Sequence, residues 1–292
     1  QEDYFNMYRI DDKSDLKEAV LYVDYKTNIR EHNMAAAGRE AGCGFSKSFV
    51  ESFLCSDGLP ISLSNKYLGD ETMRKETANR DPRLKQLILT NDFPTNVTDD
   101  LKDSTFVVNE DEFITQHCFT GYRPIKGFNP IYSQALYMKS SFDGIAYRYA
   151  ETLLINAEAK AELNTITNAD LDRTVNQLRD RVGMPHLTVN VGFTDPKWPD
   201  WGYSLSPVLQ EIRRERCIEL AGEGFRFNDL KRWKAGKLLN NVLTYVGKRK
   251  PDGNLAIVYP NYTNPDLSYQ AGKSRTWEDK MYLYPIPTGE LQ

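Results

Sequence analysis

The chain has 292 residues, of which 37 are Lys or Arg and 41 are Asp or Glu, so its formal net charge is −4. This near-balance argues against binding to the phosphate backbone of nucleic acids, which usually needs concentrated basic charge. No apolar run reaches the roughly 18 residues that predict a transmembrane helix, and the acidic start at Gln1-Glu2-Asp3 is not typical of a signal peptide.

Cysteine and histidine spacing gives no sign of a metal or redox site. Cys43, Cys55, Cys118 and Cys217 form no CxxC motif, and the three histidines lie far apart without an HExxH motif. These spacings favour free thiols and argue against a zinc enzyme, so we expect no metal and no cofactor.

Aromatic residues make up 12% of the chain, and Tyr is the most frequent of them. Tyr and Trp combine a flat apolar face with a polar tip, which suits surfaces that hold sugars or proteins. An aromatic-rich core would give the same composition, so both interpretations stay open.

The first third of the chain predicts short elements separated by turns. Residues 16–25 alternate enough to predict a strand. Residues 49–61 predict a short helix or strand that is broken at Asp57-Gly58. In the stretch 79–89, Pro82 marks a turn or helix cap, and the apolar run after it resembles a strand.

Two further regions predict strands rather than helices. Residues 91–142 are rich in turn-forming side chains and predict a hairpin-rich region, with brief strands at 105–108 and 114–119. Near the end of the chain, residues 279–287 alternate like a strand that stops at proline.

A helix pair is predicted between these regions. The sequence DGIAYRYAETLLINAEAKAEL predicts a helix from about residue 143 that is packed on several sides. Residues 169–184 predict a second helix, ended by Gly183 and Pro185. The pair has the size of one tetratricopeptide unit. Such a unit needs neighbours to bury its faces, so other parts of the protein must cover it.

The most highly charged stretch predicts a helix that begins at Ser206-Pro207. On a helical wheel Arg213 and Arg216 fall within the apolar arc, and Glu219 and Glu223 flank it. Since an unpaired buried ion is costly, we predict that all four form structural ion pairs, with Glu219 within reach of Arg216.

Two other readings of this stretch remain open. Glu219 and Glu223 could act as a catalytic acid and base, or the arginines could bind phosphate. After the helix-breaking glycines, Phe225 to Trp233 predict a second amphipathic helix closed by Gly236.

The segment IRRERCIELAGEGFRFNDLKRWKAG resembles the signature of the SusD/RagB family, surface nutrient-binding lipoproteins of Bacteroidetes. The match runs from Ile212 to Trp233, with Cys217 at a variable position. Other stretches resemble further family motifs in the same order: DGLPI, NRDPRL, YRYAETLLINAEAKAEL, VNQLRDRVGMP and YLYPIPTGEL.

This resemblance implies a mainly α fold with irregular loops and short β-hairpins, in which tetratricopeptide-type helix pairs pack against a loop-rich C-terminal part. Residues 1–292 would form that C-terminal region. Within it, 1–142 would be rich in loops and hairpins, 143–185 the last helix pair, and 186–292 the signature helices and a loop-rich end. An N-terminal helical array would complete the protein.

The resemblance also implies a function. Such proteins bind oligosaccharides or glycans, and in some branches peptides, at the outer-membrane surface and deliver them to a SusC-like TonB-dependent transporter. They have no catalytic activity, do not bind nucleic acid, and attach to the membrane through an N-terminal lipid anchor that this chain does not show. A glycoside hydrolase and a tetratricopeptide-type protein-binding adaptor remain the alternatives.

Ligand residues cannot be taken from the family, because they lie in variable loops. Sugar rings stack on aromatic planes, so we look for Trp and Tyr in irregular polar segments. The stretch KWPDWGY offers Trp198, Trp201 and Tyr203, and Tyr67 follows the loop SLSNK. The alternative is that the tryptophan cluster packs down as a hydrophobic plug beneath its loop.

Overall fold

The computed structural model describes residues 4–37, 44–96, 105–115, 117–129, 131–257 and 276–283. In these ranges helices dominate and strands are short and paired, which confirms the predicted mainly α fold with short hairpins. The α-helices are α1 (Met34–Ala37), α2 (Lys47–Ser52), α3 (Met73–Thr77), α4 (Arg83–Leu87), α5 (Tyr132–Ala135), α6 (Tyr149–Glu162), α7 (Asn168–Asp172), α8 (Val175–Val182), α9 (Pro207–Glu219) and α10 (Phe225–Arg232). The strands are β1 (Ala19–Val23), β2 (Pro94–Asn96), β3 (Thr105–Phe106), β4 (Gly144–Arg148), β5 (Val246–Arg249) and β6 (Leu255–Ile257).

Antiparallel pairs connect these strands two by two. Strand β1 pairs with β4, β2 with β3, and β5 with β6. The β1–β4 register runs from Ala19 opposite Arg148 to Val23 opposite Gly144. This pairing joins the beginning of the described chain to the residue before helix α6.

The helix predicted from about residue 143 begins only at Tyr149. Residues 144–148 form β4 instead, because β1 supplies a hydrogen-bonding partner more than a hundred positions away. Arg148 is extended, with φ −133° and ψ 154°; it is the last residue of the strand and occupies the N-cap position of the helix without a side-chain capping bond. The local sequence could not reveal this tertiary pairing.

The second predicted helix of the pair is divided into α7 and α8. Thr174 lies between them, with φ −130° and ψ −96°. Its hydroxyl donates a 2.7 Å hydrogen bond to the carbonyl of Asp170. Such a side-chain bond competes with the helical ladder. Gly183, with φ +70°, ends α8 as predicted.

The charged segment folds as two helices. Ser206 caps α9 by accepting a hydrogen bond from the amide of Leu209, and Pro207 is its first residue. Helix α10 ends at Arg232 rather than at Gly236, and the left-handed residue after it is Lys234, with φ +49°. Gly236 has a different role, because a Cβ atom there would lie 2.0 Å from the ring of Trp277.

Three strand predictions were wrong, wholly or in part. Most of the apolar run after Pro82 is the helix α4, and only Ile88 and Leu89 continue in extended pairing with the 123–124 region. Among the described residues of 114–119, Thr115 and Cys118 form an isolated bridge instead of a strand. Residues 279–282 form a 3-10 helix, and residues 284–287 lie outside the described ranges.

The buried apolar side chains form separate clusters. A large cluster gathers the N-terminal aromatics with α2, α4 and residues 122–128. A second lies among α6, α8 and α9, and includes Leu154, Leu178 and Ile212. A third consists of Trp201, Leu230, Trp233 and Ala235. Helix α9 borders all three regions, so its charged side chains lie between cores.

Among the described helices, none has both the length and the apolar character needed to span a bilayer. Cys55, Cys118 and Cys217 carry free thiols, and Cys43 lies outside the described residues.

Candidate functional site

Glu219 lies at the centre of a buried ion network. Its side chain is 0% exposed. Its two carboxylate oxygens accept from Arg83 at 2.8 Å, Arg148 at 2.6 Å and Arg181 at 2.6 Å. Burial alone would raise the pKa of Glu219, but the three guanidinium groups hold it well below its usual range.

Glu223 occupies a second position in the same network. It pairs with Arg148 at 2.7 Å and with Lys126 at 2.5 Å. Lys126 also donates to the hydroxyl of Tyr4 and to the carbonyl of Ala221. Burial lowers the pKa of Lys126 to about 8, although Glu223 opposes the shift.

These contacts bear on the catalytic interpretation of Glu219 and Glu223. A general acid or base must reach a substrate and exchange a proton near the working pH. Glu219 is fully buried and its pKa lies far below neutrality, so it meets neither condition. The network instead connects α9 to α4, β4 and α8.

Arg213 and Arg216 also form ion pairs, but with partners from other elements. Arg213 contacts Glu162 of α6 at 2.7 Å. Arg216 contacts Asp229 of α10 at 2.9 Å and does not pair with Glu219. The i to i+3 partner predicted from the wheel is therefore replaced by a residue on the next helix.

The tryptophan loop is anchored to α9. The indole of Trp198 donates to Glu211 at 2.7 Å, and that of Trp201 donates to Gln210 at 2.6 Å. Trp201 is only 6% exposed and meets Trp233 edge to face at 5.4 Å. Trp201 therefore has the position expected of a packed plug, whereas Trp198 stays half-buried.

Tyr203 lies at the boundary between this cluster and solvent. Its ring is 44% exposed, the largest exposure among the predicted ligand residues of the loop 198–203. Its hydroxyl accepts from Arg213 at 3.0 Å and donates to the carbonyl of Trp233 at 2.8 Å. The ring is thus held in place while one part of it remains accessible.

Tyr67 lies in another part of the molecule, and no described contact joins it to Trp198, Trp201 or Tyr203. It packs over the guanidinium of Arg80, 5.3 Å from its ring centroid, and is half-buried. Burial raises the pKa of its hydroxyl well above the usual value. The four predicted ligand residues therefore do not form one surface.

A cavity of about 600 Å³ opens between α6, α9, α10 and the Tyr203 loop. Three arginines and two glutamates contribute its polar wall, and Tyr203, Trp233 and short apolar side chains contribute the rest. The lining residues are Ile155, Glu158, Ala159, Glu162, Tyr203, Arg213, Arg216, Arg232 and Trp233.

Most of these lining residues escaped the sequence-based search, which looked for aromatic residues in loops. Glu158 and Glu162 lie on a helix taken as wholly structural, and Arg232 on the polar face of another. The spacing of Asp229 and Arg232 could have indicated that these two residues interact, because residues three apart share a helix face. In the structure Arg232 bonds both Asp229 and Glu158.

Charge pairing rigidifies this wall. Glu158 accepts from Arg232 through both oxygens, at 2.7 and 2.6 Å, and from the indole of Trp233 at 2.5 Å. Burial lowers the pKa of Arg232, but hydrogen bonds to Glu158 and Asp229 outweigh it and raise the pKa above its usual value. The cavity therefore presents ionised side chains in fixed positions.

No group of three or more His, Cys, Asp or Glu side chains able to hold a metal ion occurs within the described ranges.

Comparison with known proteins places this architecture in a family. The sequence profile of the SusD family (SusD_RagB) matches residues 12–292. A SusD-like protein from Bacteroides fragilis NCTC 9343 superposes with a TM-score of 0.63 and 26% identity, over 94% of this chain and 52% of that one. No curated protein matches the chain.

A second solved structure, a SusD-like carbohydrate binding protein from the same Bacteroides fragilis strain, gives a TM-score of 0.62 at 24% identity. The alignment covers 94% of this chain and 53% of that protein. The chain thus spans about half the length of the solved structures it matches. Because the family profile covers nearly all of its residues, the chain belongs to the SusD family.

Proposed function

We propose that this protein binds a glycan at the outer-membrane surface and delivers it, without catalysis, to a SusC-like TonB-dependent transporter. The observation that carries the proposal is the match of the SusD family profile over residues 12–292. One matched structure is described as a SusD-like carbohydrate binding protein, which supports a sugar as the ligand.

The cavity beside Tyr203 is the part of the described structure that fits such a ligand best. Sugar hydroxyls need both donors and acceptors, and the wall carries arginine N–H groups next to the half-exposed carboxylate of Glu162. The accessible part of the Tyr203 ring can pack against the C–H face of a sugar. Its volume of about 600 Å³ lies within the range of about 300–1,000 Å³ typical of small-molecule sites.

The domain organisation is part of the same proposal. Residues 143–185 would be the last of several tetratricopeptide-like helix pairs, preceded in the whole protein by an N-terminal helical array with a lipid anchor. Leu21, Tyr147 and Tyr149 are each at least 50% exposed at the β1–β4 edge of α6. Such an apolar patch is typical of an interaction surface, and we assign it to that array.

Affinity gel electrophoresis against a panel of polysaccharides, followed by calorimetry on the best ligand, tests binding. Tyr203→Ala should weaken binding about two- to tenfold, since a well-placed aromatic contact contributes about 0.5–1.5 kcal/mol. Tyr203→Phe keeps the ring and should retain more affinity. Tyr137→Ala is the matched control, because Tyr137 is exposed and does not line the cavity. Equal binding by all variants would refute the assignment of the site.

Two further measurements test the rest of the proposal. The bound glycan should be recovered intact, and release of reducing ends during incubation would instead establish a glycoside hydrolase. Protein isolated from detergent-solubilised outer membranes should co-purify with a TonB-dependent transporter. Recovery with soluble proteins alone would favour an adaptor.

A further inference from the structure

Arg213 holds Tyr203 and Glu162 side by side in the wall of the cavity. Its own side chain is only 2% exposed. One terminal nitrogen of its guanidinium donates to the hydroxyl of Tyr203 at 3.0 Å, and the other donates to the carboxylate of Glu162 at 2.7 Å. Tyr203 and Glu162 are 44% and 47% exposed, and both line the cavity. One buried cation therefore fixes an accessible aromatic ring next to an accessible carboxylate.

The carboxylate of Glu162 has acceptor capacity that the described part of the chain does not use. Its Oε1 atom accepts from Arg213, whereas its Oε2 atom has no hydrogen-bond partner among the described residues. Glu158, the other glutamate of the lining, is 4% exposed, and both of its oxygens accept from Arg232. A carboxylate has about four lone-pair sites, so about three remain on Glu162. These sites are enough to accept from two neighbouring donors of one ligand.

The paired charges of the lining favour a neutral ligand. Each of the arginines in the lining pairs with a different carboxylate. The pairs are Arg213 with Glu162, Arg216 with Asp229, and Arg232 with Glu158. An anionic group would be repelled by the free oxygen of Glu162, and a cationic group by Arg213 beside it. A hydroxyl avoids both penalties, and its hydrogen bond to a carboxylate is roughly twice as strong as one between neutral groups.

We propose that Glu162 determines which glycans the cavity accepts, because its carboxylate accepts from two adjacent, unsubstituted hydroxyls of a neutral sugar ring. The C–H face of the same ring packs on Tyr203, which Arg213 holds beside that carboxylate. A substituent on either hydroxyl removes the proton that the carboxylate needs, so rings substituted at these positions are excluded. This proposal rests on the proposed glycan-binding function and narrows its substrate class.

A series of small sugars tests the ligand side of the proposal with the unmodified protein. Calorimetry first compares disaccharides of glucose, galactose, mannose and xylose with oligomers of glucuronic and galacturonic acid. At least one neutral sugar should bind. Analogues of the best neutral ligand, each lacking a single hydroxyl, are then measured. Two analogues that lack adjacent hydroxyls should each bind at least about tenfold more weakly, because each has lost a hydrogen bond to a charged acceptor.

A pair of variants on α6 tests the protein side. In Glu162→Gln the amide oxygen must face Arg213, so the NH2 group faces the ligand and offers a neutral donor in place of a charged acceptor. Affinity for the best neutral ligand should fall at least about tenfold. The two weak analogues should lose little further, because the hydroxyl and the carboxylate act as one interaction. Glu151→Gln makes the same change on the same helix outside the lining and should bind like the parent protein.

Four results would overturn the proposal. Binding of the acidic oligomers alone would refute the neutral class. Parent-like affinity of Glu162→Gln would show that Glu162 does not contact the ligand. Weakening only by the loss of hydroxyls that are not adjacent would refute recognition of a pair. Each of these results leaves glycan binding intact, whereas binding of no glycan at all would remove both this proposal and the function on which it rests.

Discussion

Replacing Glu219 by Gln tests whether the charges of α9 hold the fold together. The change preserves the shape of the side chain and removes one negative charge at a position with 0% exposure. Both carboxylate oxygens accept from arginines, one from Arg148 and Arg181 and the other from Arg83. The amide nitrogen of Gln must therefore face an arginine N–H in either orientation.

The expected loss follows from this geometry. Removing one partner of a buried ion pair costs about 3–5 kcal/mol, because the other charge stays buried. Each arginine here keeps at least one other carboxylate, which lowers the cost. The remaining partners are Asp81 and Glu215 for Arg83, Glu18 and Glu223 for Arg148, and Glu18 for Arg181. We therefore expect a loss of about 3 kcal/mol in the free energy of unfolding.

Urea unfolding followed by tryptophan fluorescence at pH 7 measures this loss. Glu71→Gln is the matched control, because Glu71 is exposed and its pair with Lys75 at 3.5 Å should contribute less than about 1 kcal/mol. A loss below about 1 kcal/mol for Glu219→Gln would show that the network contributes little to stability.

The same comparison has a predicted pH dependence. The pKa of Glu219 is depressed in the folded state, so its contribution is fully present above the unfolded pKa of about 4.3 and is lost as pH falls below it. The difference in the free energy of unfolding between the parent protein and Glu219→Gln should therefore shrink as the pH falls from about 5 to about 3. A constant difference would contradict the assigned cause.

Three further predictions concern other parts of the structure. Because the pKa of Lys126 is about 8 when folded and about 10.4 when unfolded, the unfolded chain binds more protons between these values. The free energy of unfolding should therefore receive a contribution that increases with pH between roughly pH 8 and pH 10. Urea titrations should show that Lys126→Met lacks this increase. Gly236→Ala should displace residues 276–283, since its Cβ would lie 2.0 Å from the Trp277 ring. Amide hydrogen exchange in residues 276–283 should be faster in Gly236→Ala than in the parent protein. The control Gly144→Ala should leave it unchanged. Trp201→Ala should lower the free energy of unfolding by about 3–5 kcal/mol if the Trp201 ring is part of the hydrophobic core. The loss measured by urea unfolding should be far smaller if the ring is a surface for stacking sugars.

The sequence allowed the charged helices to be placed but did not reveal the partners of their charges. Ser206-Pro207 begins α9 because capping and the fixed φ of proline act within a few residues. The wheel also shows that Glu219 needs a cation. Arg83 and Arg148, its actual partners, lie 136 and 71 positions away. Both arginines belong to stretches that resemble family motifs. That resemblance was the sequence feature that could have marked them as partners of Glu219.

Misplaced elements share a similar cause. The stretch 144–148 has the composition of the helix that follows it, and only the distant strand β1 makes it extended. At Thr174, in contrast, a hydroxyl bonds a backbone carbonyl and divides a helix whose apolar period is continuous. Periodicity reports which side of a segment is buried, and it does not report such local competition.

The candidate site was the least predictable part. Aromatic residues in loops were the expected sugar contacts, and Tyr203 does line the cavity. The charged lining residues that the sequence did not single out are Glu158, Glu162 and Arg232, because each is an ordinary charged residue in a helical pattern. Their role depends on how α6 and α10 meet, which is a property of the tertiary fold.

The contacts of Glu219 have a consequence for how the chain folds. They join positions 136, 71 and 38 residues apart, so none forms within a single local element. Contacts of such separation slow folding, because the loops between them must close first. During synthesis, α4 and the β4–α6 junction are complete long before residue 219 exists. Until then Arg83 and Arg148 have only their earlier partners Asp81 and Glu18, so we expect these elements to complete their burial only when α9 joins them.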